Sequence, residues 1–162
     1  MPAITRERVL ELLDYDPETG DFTWKIWPGG RIRKGAIAGS INSNGYRQIR
    51  VHPGRHMAHR LAWLVMTGKW PVEEIDHING VRADNRWANL REATRSQNCA
   101  NCIPPRRRNP DLPKGVRPAQ RSPRWRVAVR GVYLGVFDTI EEAHEAYCRE
   151  ARNIYGEFLK TS

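Results

Sequence analysis

Asp76 and His77 stand side by side in Ile75-Asp76-His77-Ile78-Asn79-Gly80, with Asn89 twelve residues past the histidine and Asn98 nine further on. A carboxylate and an amide carbonyl are hard oxygen donors, suited to Mg2+ or Mn2+. A histidine outside the coordination shell takes a proton from water near neutral pH. Together these are the minimum needed to hydrolyse a phosphodiester. Water is a weak nucleophile and the phosphoryl group is already anionic. A site must therefore deprotonate the water and neutralise charge on the phosphate and the leaving 3′ oxygen. A positioned base contributes about 10²–10⁴-fold, and a divalent ion stabilises the leaving oxygen as a Lewis acid. His77 is the candidate base, and Asp76 and Asn98 are the candidate ligands. For Asn89 a second reading stands beside catalysis: a mid-loop amide that bonds two backbone groups and holds the loop closed.

The elements that must position these side chains are short. Ile4 to Leu13 has the apolar spacing of an amphipathic helix. Turn residues at 16–21 lead into a strand at Phe22-Thr23-Trp24, and Asn44-Gly45 marks a second hairpin before Tyr46 to Val51. His59 to Thr67 reads as a helix closed by Gly68. The Asp-His pair falls on a strand, Leu90 to Ala93 forms the next, and Thr94 with Gln97 makes a capping box that places Asn98 on a helix. Pro-rich residues 104–113, with Arg106-Arg107-Arg108, read as a basic linker. Beyond it, Trp125, Val127 and Val129 alternate with Arg124, Arg126, Ala128 and Arg130. Gly131 turns the chain into a strand at Val132 to Phe137. Thr139 and Glu142 then cap a helix whose Ile140, Ala143, Tyr147, Ala151 and Ile154 cover the sheet.

Charge points to a polyanion. Between Phe22 and Val72 there are nine Lys/Arg and no Asp or Glu, and between Pro104 and Phe137 nine Lys/Arg face one acid, Asp111. The last segment, Asp138 to Ser162, is by contrast acidic, at −3 within a chain of net charge +9. Exclusion of acids from whole stretches is the footprint of a nucleic-acid partner rather than of a merely solvated surface. No apolar run is long enough for a membrane span or a signal peptide, so a cytoplasmic, membrane-free protein is expected. The single C-x-x-C of Cys99 and Cys102 has no second pair, and no structural zinc is expected.

The run His59-Arg60-Leu61-Ala62-Trp63, Asp76-His77-Ile78-Asn79-Gly80, Asp84-Asn85-Arg86-Trp87-Ala88-Asn89-Leu90-Arg91 and Asn98 resembles the HNH endonucleases of phages, in particular the phage and intron-encoded homing subgroup. The resemblance implies an α+β protein with a central ββα-metal unit over 59–103 and one divalent ion, Mg2+ or Mn2+. It implies His77 as general base, Asp76 and Asn98 as ligands, and Asn89 as loop support. Asn98 stands where many relatives carry a third histidine, which weakens any preference for zinc. His59 reads either as a buried, hydrogen-bonded histidine or as a ligand. Trp63, Trp70 and Trp87 read as core. His52, His56 and His144 carry no signal beyond composition.

Residues 114–162 are expected as a DNA-binding sheet-plus-helix domain, and about residues 114–158 resemble the ethylene-response-factor (APETALA) type DNA-binding domain, through Lys114-Gly115-Val116-Arg117, Trp125 to Arg130, Tyr133-Leu134-Gly135-Val136-Phe137-Asp138 and the Glu/Ala-rich helix. The resemblance implies a three-stranded sheet on one helix, lying in the major groove of DNA. Arg117, Arg124, Arg126 and Arg130 are its candidate contacts. Whether they read base edges or only phosphates stays open. Alternation puts Trp125 on the buried face although the family contacts DNA from that segment. Residues 1–58 are expected as a basic, β-rich region with Arg47 and Arg50 on DNA, and Arg60 and Arg91 are candidate phosphate clamps. Double-stranded DNA is thus the expected partner of a DNA endonuclease, monomeric or homodimeric. A non-catalytic regulator with a degenerate HNH fold is the alternative. A nuclease for RNA is the less favoured third reading, because no single-strand stacking surface stands out.

Overall fold

The computed structural model describes residues 4–101, 111–120 and 122–158. These fall into two compact units, one ending at Asn98 and the other starting at Cys99. The expected linker lies mostly outside the described residues, as does Cys102. No helix among the described residues is long and apolar enough to cross a membrane.

The first unit opens with α1 (Arg6–Leu12), capped by Thr5, whose side chain accepts from Arg8 N. Val9 and Leu12 lie three apart on its inward face. The chain passes directly into β1 (Leu13–Tyr15), which pairs antiparallel with β2 (Phe22–Trp24). Asp16 closes the intervening turn by accepting from Glu18 N and Thr19 N. A three-stranded antiparallel sheet follows, β3 (Ser40–Ile41), β4 (Arg47–Val51) and β5 (Gly54–Met57), with β4 in the middle. Its first hairpin is locked by Asn42, whose side-chain oxygen accepts from Asn44 N and Tyr46 N. β5 runs straight into α2 (Ala58–Thr67), which ends at Gly68 with φ 77°, where a side chain would be strained.

After α2 come β6 (Glu74–His77), β7 (Leu90–Ala93) and α3 (Arg95–Asn101), the strand, loop, strand and helix order expected around the Asp-His pair. The two strands are antiparallel, with Asp76 opposite Arg91 and His77 opposite Leu90. Thr94 and Gln97 bond each other reciprocally at the start of α3. One hydrophobic core serves all of this. Phe22, Leu13 and Ile49 from the N-terminal strands pack with Leu61, Leu64, Ile75 and Leu90. The core therefore spans the boundary expected at residue 59. The two stretches share it because neither short sheet has enough apolar surface to bury alone.

In the second unit β8 (Val116–Pro118), β9 (Trp125–Val129) and β10 (Val132–Phe137) form an antiparallel sheet with β9 central. Helix α4 (Ile140–Tyr155) carries the Thr139–Glu142 capping box. Its Ala143, Tyr147, Cys148 and Ala151 bury against Val116, Val127 and Val129, and Trp125 packs against the same cluster. The indole thus lies on the face that strand alternation assigns it.

Candidate functional site

His77 ends β6 with only 4% of its surface exposed. Its Nε2 lies 3.3 Å from Asn85 Oδ1. The amide of Asn85 is oriented by its own Nδ2, which donates to Ala83 O at 3.0 Å. The oxygen of Asn85 therefore accepts, His77 Nε2 carries the proton, and the neutral ring has its lone pair on Nδ1. Burial pushes the imidazole below its ordinary pKa; the bond to Asn85 and the nearby Asp76 and Asp84 carboxylates oppose that shift. The ring is consequently a neutral base at pH 7.

Asn85 is itself 1% exposed and is set by residues far away in sequence. Tyr15 donates its hydroxyl to Asn85 O at 2.7 Å. Gly20, at φ 77°, passes so near that a Cβ there would collide with the backbone of Asn85 and Arg86. The β1–β2 hairpin thus presses on the loop that orients His77. The sequence contains Asn85 inside Asp84-Asn85-Arg86, but an amide beside a carboxylate carries no local mark of a histidine partner eight residues back.

The loop from Ile78 to Asn89 is held by polar side chains. Asn89 Oδ1 accepts from Asn79 N at 2.9 Å, and its Nδ2 donates to Asp84 O at 2.8 Å. Asp84 is gripped by Arg86 through Nε and a second guanidinium nitrogen, and Asn79 Nδ2 donates to it at 2.7 Å. These donors hold the Asp84 carboxyl down to about 2, with Arg86 the largest cause.

Asp76, 4% exposed, receives Arg91 Nε at 2.9 Å from directly across the hairpin. Asn98 lies on α3, where its Nδ2 donates to Glu74 Oε2 at 2.6 Å. That bond uses the amide nitrogen, so the oxygen is the atom of Asn98 that could ligate a metal. Among the described residues no three His, Cys, Asp or Glu side chains gather as a metal cage. The candidate donors expected from the sequence, the Asp76 carboxylate and the Asn98 amide oxygen, are of the hard-oxygen type that Mg2+ takes while keeping several waters.

His59 opens α2 and lies edge-on to His77, ring centroids 5.1 Å apart, with Tyr46 5.4 Å away. It is buried, yet its Nδ1 has no hydrogen-bond partner among the described residues. This corrects the expectation of a hydrogen-bonded histidine. Burial, with the neighbouring His77 and Arg60 adding to it, drives its pKa down to about 3.

The candidate DNA contacts differ in their surroundings. Arg60 donates to Pro71 O at 3.3 Å and lies over the Trp70 ring, while Arg47 is 3.8 Å from Asp21. Arg50 is exposed on β4. In the second unit Arg117 and Arg126 are exposed and in register on adjacent strands, and Arg126 stacks over Tyr133. Arg124 pairs with Asp138 at 2.7 Å. Arg130 sits exposed in the β9–β10 turn. Trp63 and Trp70 pack against the first core, but Trp27 is 67% exposed. The sequence does not single out Trp27 among the tryptophans. A tryptophan three residues after the buried Trp24 carries no local sign of which one faces solvent.

Residues 56–100 match the model of the HNH endonuclease family. The match runs from β5 through the Asp-His hairpin into α3, so this segment is of HNH nuclease type; the second unit from residue 101 onward lies outside it. No curated protein and no solved structure matches the chain.

Proposed function

We propose that the protein is a metal-dependent, homing-type DNA endonuclease. Its ββα unit hydrolyses one phosphodiester while the basic strands of the first unit and the arginine-bearing sheet of the second hold the duplex. The reading rests above all on the buried His77, kept neutral and in one tautomer, on a segment that matches the HNH endonucleases. His77 accepts the proton of the attacking water on its unprotonated nitrogen. Asn85 stabilises the imidazolium through Nε2, much as an acceptor behind any catalytic histidine does. Asp76 and Asn98 would hold one divalent ion, Mg2+ or Mn2+. When bound, that ion supplies charge neutralisation at the phosphate and the leaving 3′ oxygen. Asn89 keeps the loop closed over the site.

On the second unit, Arg117, Arg124, Arg126 and Arg130 face DNA in the manner of ethylene-response-factor domains. With one ion per chain, a monomer serves one strand and nicks; a double-strand cut needs a dimer or two events. The test is incubation of supercoiled plasmid with Mg2+, Mn2+ or EDTA. Nicked product with either ion and none in EDTA is expected. Undiminished cutting in EDTA would rule the metal assignment out.

A further inference from the structure

Trp27 stands at an open groove of about 960 Å³ bounded by the segment from Trp24 to Ile37 and by strands β4 and β5. Arg31, Arg33, Arg50 and Arg55 line it, all exposed, and none has a carboxylate partner among the described residues. Ile37, 52% exposed, extends the apolar floor beside the indole. Four guanidinium groups without carboxylates around an exposed tryptophan are a poor match for most ligands. A duplex offers phosphates to the arginines but keeps its base faces stacked inside, so the indole and isoleucine would stay without an apolar partner. An unpaired strand offers both: phosphates spaced along a flexible backbone, and bases whose faces stack on an aromatic ring. The groove is large enough for a few nucleotides, each a fraction of that volume.

We propose that this groove binds a short unpaired stretch of DNA, with one base stacked on Trp27 and the flanking phosphates on Arg31, Arg33, Arg50 and Arg55. A single-strand site on a protein that also grips duplex would hold a strand exposed by melting or nicking. The proposal extends the nucleic-acid-binding part of the function above and is read by binding alone in EDTA. Its failure would therefore leave the plasmid-cleavage result untouched, and the reverse also holds.

The full-length protein is titrated by fluorescence anisotropy against a labelled oligothymidylate of about twelve nucleotides and against a duplex of the same length. Trp27→Ala should weaken the single strand about ten-fold and the duplex by less than about two-fold, while Trp27→Phe stays within about three-fold of the original protein. Arg31→Ala with Arg33→Ala should make the single-strand salt slope shallower by about 1.4, the value for two lost phosphate contacts. Trp27 is exposed, so its truncation leaves the core intact. No change in oligothymidylate affinity on Trp27→Ala would overturn the proposal. Equal losses on strand and duplex, or competition by a poly-glutamate peptide as strong as by oligothymidylate, would overturn it too.

Discussion

The two buried histidines of the site differ in how each nitrogen is satisfied. His77 has Asn85 behind it, while His59 Nδ1 has no partner among the described residues, and its pKa falls to about 3. An unfolded histidine takes its proton near 6.5. Between those values the unfolded chain binds a proton that the fold refuses, so stability falls as pH drops below 6.5 and is unaffected above it. Each pH step of one between those limits removes about 1.4 kcal/mol, so the loss at pH 5 is about 2 kcal/mol from His59 alone. His77, whose pKa is lowered in the same direction, adds to it. Urea unfolding at pH 7 and pH 5 should show this loss, and His59→Gln should remove most of it. Equal pH sensitivity in both proteins would refute the assignment. Residue type and spacing are enough to single out Asp76, His77 and Asn98 as candidates. They do not reveal Asn85 or the bare nitrogen of His59, because both depend on what lies across the fold: Tyr15 and Gly20 for one, Tyr46 and His77 for the other.

Among the elements, those with strong local chemistry were the ones the sequence made readable. The Thr139–Glu142 box, the Asn42–Tyr46 turn and the Gly68 stop are settled by residues in contact along the chain. The brief strands β1, β3 and β5 were harder to see, since two to four residues carry too little periodicity to register. The β9–β10 hairpin holds a conflict of its own. Its two turn residues, Arg130 and Gly131, have φ of 51° and 83°, as a type I′ turn requires. Glycine adopts that conformation freely, whereas for arginine it costs about 1–2 kcal/mol and for asparagine less. Arg130→Asn should therefore raise the stability of the hairpin by about 0.5–1 kcal/mol, seen as a higher urea midpoint, while weakening DNA binding. An arginine kept in a strained turn accords with a ligand contact. Gain in stability with unchanged DNA affinity would instead make the residue incidental.

The two strongly basic stretches divide between the units, residues 22–72 in the first and residues 104–137 in the second. What was least legible is that the basic N-terminal strands and the HNH segment share a core, because one cluster gathers residues as distant in sequence as Phe22 and Leu90. If about eight phosphates are neutralised on binding, log affinity should fall with log salt at a slope near −7, and a nearly flat response would contradict the basic footprint. Whether His77 is the base of a DNA-cutting site is decided by one comparison. Purified His77→Ala and the original protein are each incubated with supercoiled plasmid and Mg2+, while their affinity for the same DNA is measured in EDTA. Loss of the base should slow cleavage by about 10²–10⁴-fold and leave affinity unchanged. Mg2+-dependent cleavage by His77→Ala at the original rate would contradict that role.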